Sequence, residues 1–395
     1  MNNLITTLIL GGGFGGIATA RHLRQALSSE HRIVLLSKTQ SFQLGATKTW
    51  VMLGEVEQER ISRPLSTLKR HGIEVLHTEI QRINPAELIV TTADGELNAD
   101  YIVMALGAEL DMALVPGLAE AAETFYTREG AVRLRGILEN FNGGKIVLLI
   151  PRIPFQCPPA PYEAAMMLHS HLETRGLRRK TSIDIFTAEK APMATAGPTI
   201  GKYIVERLGE RGIGFHPQCQ VQSADGAGKV VVLADGTRIP YDLLIAIPPH
   251  TAPQVARDSG LVDGSGWVPV DSQTFEIKNS PSPERIYAIG DMTTVPLPGR
   301  FMPDIPLALP KAGVFAEKEG IVVAERIAGH ILQRETSAAF DGKGFCYIEV
   351  GGGKALRGDG SFFDLPNPTM TPREPDAAQL ADKKAWVDNW LERYL

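Results

Sequence analysis

Three cysteines are the residues of this sequence whose types best suit redox chemistry: Cys157, Cys219 and Cys346 in a chain of 395 residues. Three are too few for a disulfide framework, so a bonded pair among them is expected to react rather than to staple the fold. The reactive form of a thiol is the thiolate, which needs a local positive field to stay ionised. Cys219, three residues after His216, is expected to be structural.

Cys157 and Cys346 both lie in irregular stretches of sequence rather than in a periodic core. Pro158 and Pro159 follow Cys157, and a run of three glycines at 351–353 follows Cys346. Each cysteine alone could be a small buried hydrophobe, the commonest state of an unpaired cysteine. Their settings favour a functional pair. His169 and His171 lack the i, i+4 spacing of a helical ligand pair, and His216 with Cys219 are only two residues, so no metal site is predicted.

The N-terminal residues predict a strand, a glycine loop and a helix, over residues 4–10, 11–16 and 17–27. The loop fits G-x-G-x-x-G, in which the glycines permit a tight turn, a close approach to a pyrophosphate and close helix packing. The helix N-terminus would then face the phosphates. The residues predicted to contact the dinucleotide are Gly11, Gly13, Phe14, Gly15 and Gly16.

Further dinucleotide-binding signals follow along the chain. The second predicted strand ends in Ser37-Lys38, where many such units place an acidic residue for the ribose hydroxyls, and Ser37 is the expected substitute. Gly107 follows a third apolar strand, at 101–106. The strand at 285–289 ends in Gly290-Asp291, whose carboxylate suits a ribityl hydroxyl. The glycine loop at 11–16 and the strand with Gly290-Asp291 at 285–291 are the two half-signatures of an FAD site, and their presence in one chain predicts FAD.

A repeat divides the chain into two similar units. A turn with Asp94 and a turn with Asp235, offset by 235 − 94 = 141 residues, each precede an apolar strand. The same offset carries the three loop glycines onto Arg152, Pro154 and Cys157. Side chains and proline would block a pyrophosphate there, so the second unit is expected to bind NAD(P)H poorly or not at all.

The predicted fold is therefore α/β, with two Rossmann-like units of a disulfide-reductase-like flavoprotein. We place the first part of the FAD-binding domain at residues 1–112, the second unit with its degenerate loop at 113–250, and the second part of the FAD-binding domain at 251–330. Residues 331–395 form a C-terminal region with Cys346 and an amphipathic helix.

Composition excludes some classes of protein. The formal net charge is −5 without a long charged block, so no nucleic-acid partner is expected. No apolar run approaches the ~20 residues that cross a bilayer. The apolar start is not preceded by Lys or Arg, and cleavage after residue 20 would remove the glycine loop. We therefore expect a cytoplasmic location.

With these features in view, the chain resembles the sulfide:quinone oxidoreductases and the flavoprotein subunit of flavocytochrome c sulfide dehydrogenase. The resemblance runs nearly end to end and is carried by residues 41–44, 151–164, 309–313 and 344–347. It implies a flavoprotein in which Cys157 and Cys346, 346 − 157 = 189 residues apart, approach each other beside FAD. Hydrosulfide would attack their disulfide, or a polysulfide bridging the two, and the resulting thiolate would reduce FAD.

The resemblance also implies roles for single residues. Cys346 matches the flavin-side sulfur and Cys157 the carrier of transferred sulfur. Glu163 matches a carboxylate proposed for proton handling, and Lys311 matches a lysine near the flavin pyrimidine edge. From the residues alone, Glu163 could instead cap or solvate its helix, and Lys311 carries a similar alternative.

Two departures from the family pattern change the expectations. Many members carry a third cysteine, in some of them bonded to FAD, and the matching position here is Tyr126. FAD is therefore expected to be non-covalent. A histidine that follows that cysteine is replaced by Gly130, so polysulfide growth would take a different route.

The electron acceptor implied by the resemblance is a quinone. Residues 376–395 predict one amphipathic helix with an apolar stripe of Trp386, Val387, Trp390, Leu391, Tyr394 and Leu395. Such a stripe would suit peripheral contact with the cytoplasmic membrane surface. The alternative is packing on the protein's own core or on a second subunit in a homo-oligomer.

Three other functions stay open at this point. A type-2 NADH:quinone dehydrogenase would share the fold but needs a working second glycine loop. A non-catalytic flavoprotein would use the cysteines as a redox switch. The same cysteine pair could also act on another thiol, persulfide or disulfide.

Overall fold

In the computed structural model, which describes residues 4–395, the chain forms two parallel sheets flanked by helices and a C-terminal antiparallel sheet. The first three residues of the predicted 1–112 domain lie outside the described residues. The α-helices are α1 (Phe14–Ala26), α2 (Lys48–Met52), α3 (Leu118–Ala121), α4 (Arg128–Asn140), α5 (Ala160–Thr174), α6 (Pro198–Gly209), α7 (Gln254–Asp258), α8 (Gly313–Ile331) and α9 (Ala377–Tyr394). The 3₁₀ helices are Gly45–Thr47, Gln58–Ile61, Leu65–His71, Met112–Leu114, Arg178–Lys180, Ala194–Ala196 and Gly290–Met292.

The first sheet consists of five parallel strands. In spatial order they are Ile286–Ala288, Tyr101–Met104, Thr6–Leu10, Arg32–Ser37 and Glu74–His77. The first four are almost entirely buried, as parallel strands covered on both faces should be. The carboxyl ends of parallel strands share one edge, so the segments that follow these strands meet there.

In the sequence, the second sheet lies between Tyr101–Met104 and Ile286–Ala288, the fourth and fifth strands of the first sheet in chain order. Its parallel strands, in spatial order, are Ile213–His216, Thr181–Thr187, Gly144–Ile150 and Leu243–Ala246. The fold of two Rossmann-like units is therefore confirmed. The chain leaves and re-enters the first unit through a two-stranded antiparallel ribbon, Glu109–Leu110 with His250–Thr251. The domain boundaries near 112, 250 and 330 stay a prediction.

Smaller antiparallel sheets complete the two units. They are Ser41–Gln43 with Ser62–Pro64, Ile80–Asn84 with Ile89–Thr92 and Gly95–Asn98, and Val221–Asp225 with Val230–Leu233 and Arg238–Pro240. A short parallel pair joins Val268–Pro269 to Thr293–Thr294.

The C-terminal region adds the sheet Lys343–Gly351, Lys354–Ser361 and Thr369–Pro372, followed by α9. The apolar stripe of α9 is buried in the protein, because Val387, Trp390, Leu391, Tyr394 and Leu395 are at most 5% exposed. The indole nitrogen of Trp390 and the phenol of Tyr394 donate to the two Glu317 carboxylate oxygens on α8, at 3.0 and 2.8 Å.

The burial of this stripe corrects the expectation that it faces a membrane. These side chains already have partners within the fold, so the alternative of packing on the protein's own core holds. The reason is that an amphipathic pattern specifies an apolar face but not what covers it.

Candidate functional site

A cavity of about 130 Å³, partly open to solvent, lies where the first unit, the loop before α5 and the C-terminal region meet. The three residues predicted to be catalytic, Cys157, Glu163 and Cys346, all line it. Much of its remaining wall is apolar and aromatic. The chain thus brings together two cysteines that are far apart in sequence.

Two backbone hydrogen bonds fix the position of Cys157. Its N–H donates to the carbonyl of Lys311 at 2.7 Å, and its own carbonyl accepts from the N–H of Ala160 at 2.9 Å. Its φ of +55° lies in the left-handed region, which is uncommon for a residue with a side chain. Backbone strain of this kind is concentrated at functional sites, since the surrounding structure has to enforce it.

Cys346 sits on strand Lys343–Gly351, opposite Gly358 of the neighbouring strand. A Cβ atom at Gly358 would lie 3.9 Å from the Cys346 sulfur, so the sulfur packs closely over that glycine. Both cysteines are free thiols. Burial, together with the nearby Glu163 carboxylate, raises the pKa of each thiol to about 12.

Glu163 lies in the first turn of α5 and is 4% exposed. Burial raises the pKa of its carboxyl to about 7, while the ammonium of Lys383 acts in the opposite direction. The Lys383 nitrogen lies 2.5 Å from Glu163 Oε1 and 2.7 Å from Glu349 Oε1. The indole of Trp50 also donates to Glu349 Oε1, at 2.5 Å. Glu163 therefore belongs to a buried ionic network rather than to a solvated helix end.

Sequence reasoning missed Lys383 and Glu349. Lys383 is 1% exposed, lies on α9 and lines the cavity. A signal was present, because positions 383, 387, 390, 391 and 394 fall on one helical face and place a lysine within an apolar stripe. A buried lysine needs paired carboxylates, and here both of its partners come from other elements.

The glycine loop has the geometry that its sequence predicts. Gly11 has φ +119°, and a Cβ atom there would lie 2.2 Å from the Ala105 carbonyl oxygen. A Cβ atom at Gly16 would lie 1.9 Å from the carbonyl oxygen of Gly11. Gly13 caps α1 without a side-chain hydrogen bond, and a Cβ atom there would meet only open space. The backbone of α1's first turn is therefore available to a phosphate.

Phe14 and Gly15, which begin α1, contact aromatic side chains and α8 in addition to the glycine loop. The Phe14 ring lines the cavity and lies 4.7 Å from Trp390 and 5.1 Å from Phe42, measured between centroids. Gly15 is buried against α8, where a Cβ atom would lie 3.0 Å from the Ala316 carbonyl oxygen, and it would also lie 2.7 Å from a methyl of Ile289. Their predicted cofactor contacts stay predictions.

The other predicted cofactor residues gather at the same edge of the first sheet. Ser37 is 6% exposed at the end of its strand, while the neighbouring Lys38 side chain is exposed. Gly107 and Gly290 have φ values of +72° and +74°. Asp291 is buried, and its Oδ2 accepts from the Gln156 amide at 2.7 Å. The two half-signatures therefore converge, as an FAD cradle requires.

Lys311 is 8% exposed, and its ammonium donates to the backbone carbonyls of Asp291 and Thr293 at 2.5 and 3.0 Å. It also lies 3.4 Å from the centre of the Trp267 ring. Burial lowers its pKa to about 8. Glu319, which sequence reasoning missed, accepts from the N–H of Gly290 at 2.6 Å, and burial raises its pKa to about 7. The lysine thus sits beside the second half-signature.

These residues fit FAD. The open first turn of α1 is a cradle that side chains at Gly11 or Gly16 would close. Asp291 follows the strand Ile286–Ala288 of the same sheet, which Tyr101–Met104 separates from Thr6–Leu10, and Lys311 is bonded to the Asp291 carbonyl. The cavity that contains the two cysteines includes Phe14 from the beginning of α1 and residues 310 and 312–315 next to Lys311. A bound flavin would then lie within reach of the thiols.

The equivalent loop of the second unit does not fit a dinucleotide. Helix α5 begins after Pro158 and Pro159, which lack N–H groups, and the N–H of Ala160 already donates to Cys157. Arg152 is bonded to the Leu114 carbonyl at 2.9 Å. The weak NAD(P)H binding expected from the sequence therefore has a physical basis in this loop.

Tyr126, the residue at the family's third cysteine position, lines the cavity. Its hydroxyl donates to the Gln156 carbonyl at 2.8 Å. Its own carbonyl accepts from the ammonium of Lys48, another cavity residue that sequence reasoning missed. A phenol cannot form the thioether through which a cysteine would hold FAD, so non-covalent binding stays the expectation.

The comparisons with known proteins agree with this geometry. The family model described as pyridine nucleotide-disulphide oxidoreductase matches residues 5–312. The chain is 26% identical to the sulfide-quinone reductase of Aquifex aeolicus over 98% of this chain and 89% of that protein. It is also 26% identical to the mitochondrial sulfide:quinone oxidoreductase of Mus musculus, over 74% of this chain and 67% of that protein.

Solved structures show the same fold. The sulfide:quinone oxidoreductase of Aquifex aeolicus superposes with a TM-score of 0.87, at 24% identity, over 99% of this chain and 91% of the other. A type-2 NADH dehydrogenase from Plasmodium falciparum superposes with a TM-score of 0.69 at 14% identity, over 89% of each chain. The resemblance to sulfide:quinone oxidoreductases that the sequence indicated is confirmed.

Proposed function

The chain belongs to the pyridine nucleotide-disulphide oxidoreductase family, and from that premise we propose that it is an FAD-dependent enzyme that oxidises sulfide and passes the electrons to a quinone. The observation that carries the proposal is the shared cavity of Cys157, Cys346 and Glu163 beside the FAD cradle. The degenerate second loop supports a donor other than NAD(P)H. A related small sulfur species would use the same residues.

A balanced cycle can be written for the two cysteines. Hydrosulfide bonds to the Cys157 sulfur of a Cys157–Cys346 disulfide, that disulfide bond breaks, and Cys346 leaves as the thiolate. A second hydrosulfide removes the outer sulfur as HS₂⁻ and leaves Cys157 as a thiol. Re-forming the disulfide releases two electrons and one proton. Two hydrosulfide ions thus give one HS₂⁻, two electrons and one proton.

The bound FAD supplies a two-electron acceptor beside the cysteines, and the quinone consumes the electrons together with two protons. Glu163 is our candidate for the group that takes the proton from the closing disulfide, because its carboxyl, with a pKa raised to about 7, exchanges protons near neutral pH. Lys383 holds that carboxylate in place at 2.5 Å. Lys311 would stabilise negative charge on the reduced cofactor.

Anaerobic titration of the flavin absorbance tests this function. We expect sulfide to bleach the bound flavin and a soluble quinone to restore it, while NADH bleaches it little, because Pro158, Pro159 and the bonded Ala160 leave a pyrophosphate few donors. Rapid bleaching by NADH with no response to sulfide would replace the proposal by a type-2 NADH dehydrogenase. Flavin that responds to neither donor would favour a non-catalytic redox sensor.

Access to a membrane quinone needs an apolar surface, and α9 does not supply it. None of the helices formed by residues 4–395 is long and apolar enough to cross a membrane. Exposed apolar side chains are found instead on two loops, with Met302 at 48%, Ile305 at 47% and Leu365 at 72% exposure. The loops are joined by the N–H of Arg300, which donates to the Pro366 carbonyl at 2.9 Å. Peripheral contact with the cytoplasmic membrane surface through these loops is part of the proposal.

Replacing Met302, Ile305 and Leu365 together by serine is expected to lower co-flotation with phospholipid vesicles roughly tenfold, because three apolar side chains would no longer leave water. The matched control is Val132→Ser, which removes a side chain that is 49% exposed on α4. Unchanged flotation of the triple variant would show that these loops do not meet the bilayer.

A further inference from the structure

Lys48 is a cationic residue of the cavity that has no carboxylate within ion-pair distance among residues 4–395. Among the described residues, the lysine and arginine side chains that line the cavity are Lys48 and Lys383. Lys383 lies between two carboxylates, which offset much of the effect of its charge on the thiols. Lys48 forms no ion pair within residues 4–395, and its hydrogen bond goes to the neutral backbone carbonyl of Tyr126.

The thiols beside Lys48 need a counter-charge. Burial and the Glu163 carboxylate both disfavour an anion on Cys157. Hydrosulfide nevertheless brings negative charge up to this sulfur when it attacks, and the persulfide left on Cys157 becomes an anion again when it loses its proton. A desolvated ammonium close to the reacting sulfur is the ordinary way to stabilise such an anion. Lys48 and Cys157 line the same cavity. Tyr126 connects them, because its carbonyl accepts from Lys48 and its hydroxyl donates to the carbonyl of Gln156, the residue before Cys157.

We propose that Lys48 is the anion-binding residue of the sulfur site, which holds hydrosulfide beside Cys157 and then stabilises the negative charge on the sulfur bound to Cys157. This inference rests on the proposed sulfide oxidation and names the group that would recognise its substrate. It also explains why a half-buried lysine without a carboxylate partner is placed in a largely apolar cavity, where an unpaired charge is costly.

The pH dependence of this residue has a definite sign. Burial lowers the pKa of Lys48 to about 8, and the charges that face it, on Cys157, Asp291 and Glu129, act in the opposite direction. The ammonium is therefore present below about pH 8 and lost above it. Sulfide binding that depends on Lys48 should weaken as the pH rises through that value.

The test uses the FAD-loaded enzyme and the variants Lys48→Met and Lys48→Arg. Anaerobic stopped-flow reduction by sodium sulfide should show an apparent dissociation constant for sulfide raised about tenfold or more in Lys48→Met, with a smaller change in the limiting rate. Lys48→Arg should keep sulfide binding and extend it above pH 8, because a guanidinium stays charged there. The matched control Lys384→Met removes an exposed lysine next to Lys383 and should behave as wild type.

A second readout does not depend on turnover. The rate at which iodoacetamide alkylates Cys157 in the reduced protein, followed by mass spectrometry across pH, should fall about tenfold in Lys48→Met because less thiolate is present. Unchanged sulfide binding and unchanged alkylation in Lys48→Met would overturn the inference. So would a change confined to the absorbance spectrum of FAD, which would assign Lys48 to the cofactor.

The two proposals fail separately. A wild-type protein whose flavin ignores sulfide refutes sulfide oxidation, while the alkylation rates still report whether Lys48 stabilises an anion at Cys157. A wild-type protein that sulfide reduces, with a Lys48→Met variant of equal sulfide affinity and alkylation rate, refutes the role of Lys48 alone.

Discussion

We expect Cys157→Ser and Cys346→Ser each to abolish the bleaching of the bound flavin by sulfide, with a loss in the rate of reduction on the order of 10³-fold or more. A serine hydroxyl can neither form the disulfide that hydrosulfide attacks nor carry the transferred sulfur. Both changes are nearly isosteric and lie outside the glycine loop, so FAD content should stay at the wild-type level. The measurement is anaerobic stopped-flow absorbance of the purified variants.

Cys219→Ser is the matched control for these variants. Cys219 is a partly exposed thiol outside the cavity, and its sulfur lies 3.3 Å from the carbonyl oxygen of His216. This variant should reduce at the wild-type rate. Persistent sulfide bleaching in both Cys157→Ser and Cys346→Ser would mean that sulfide reaches the flavin without the cysteines, and the proposed cycle would be wrong.

Lys383→Met destabilises the folded protein by about 3–5 kcal/mol at neutral pH, because it leaves Glu163 and Glu349 buried without their cation. It also removes the positive charge that lowers the pKa of both site thiols, so sulfide-driven reduction should slow as well. Denaturant unfolding measures the first effect. Lys384→Met, on the exposed side of α9, should leave stability unchanged.

The destabilisation should depend on pH with a known sign. The pKa of Glu163 is raised in the folded protein from 4.5 to about 7, so this carboxyl favours the folded state less as the pH rises through that window. Without Lys383 the pKa rises further. The loss in stability should therefore be small near pH 4.5 and larger at pH 8.

Two results would separate ion pairing from simple loss of packing. Combining Lys383→Met with Glu163→Gln and Glu349→Gln should recover part of the lost stability, because no unpaired carboxylate remains. An equal loss at pH 5 and pH 8, with no recovery in the combined variant, would show that Lys383 contributes packing rather than charge pairing.

The local features of the site could be predicted from the sequence, because local geometry determines them. The glycine loop needs Gly11 in a left-handed turn and Gly16 against a carbonyl, and both requirements involve contacts with the adjoining strand and loop. The absence of glycine at 152, 154 and 157 could also be read from the sequence, and it predicted poor NAD(P)H binding by the second unit. The pairing of Cys157 with Cys346 came only from family resemblance, since spacing alone does not connect residues so far apart.

The ionic network and the partner of α9 could not be predicted in the same way. Glu349 looks like one charged residue in a strand, and only the fold brings it within 2.7 Å of Lys383. The stripe on α9 was visible, but whether α8 or a lipid covers it depends on tertiary packing. The proposed role of Lys48 could not be predicted from the sequence, because it depends on the absence of an ion-pair partner among residues 4–395, which only the fold shows.

The position of Lys383 on the last helix has a consequence for the order of events during synthesis. The glycine loop, both cysteines and both carboxylates leave the ribosome before α9 does, and domains usually fold as they emerge. A nascent chain could bind its cofactor while the thiols still lack the charge that Lys383 brings. On this order, the thiols gain the charge of Lys383 only when α9 docks, after the cofactor cradle has been synthesised.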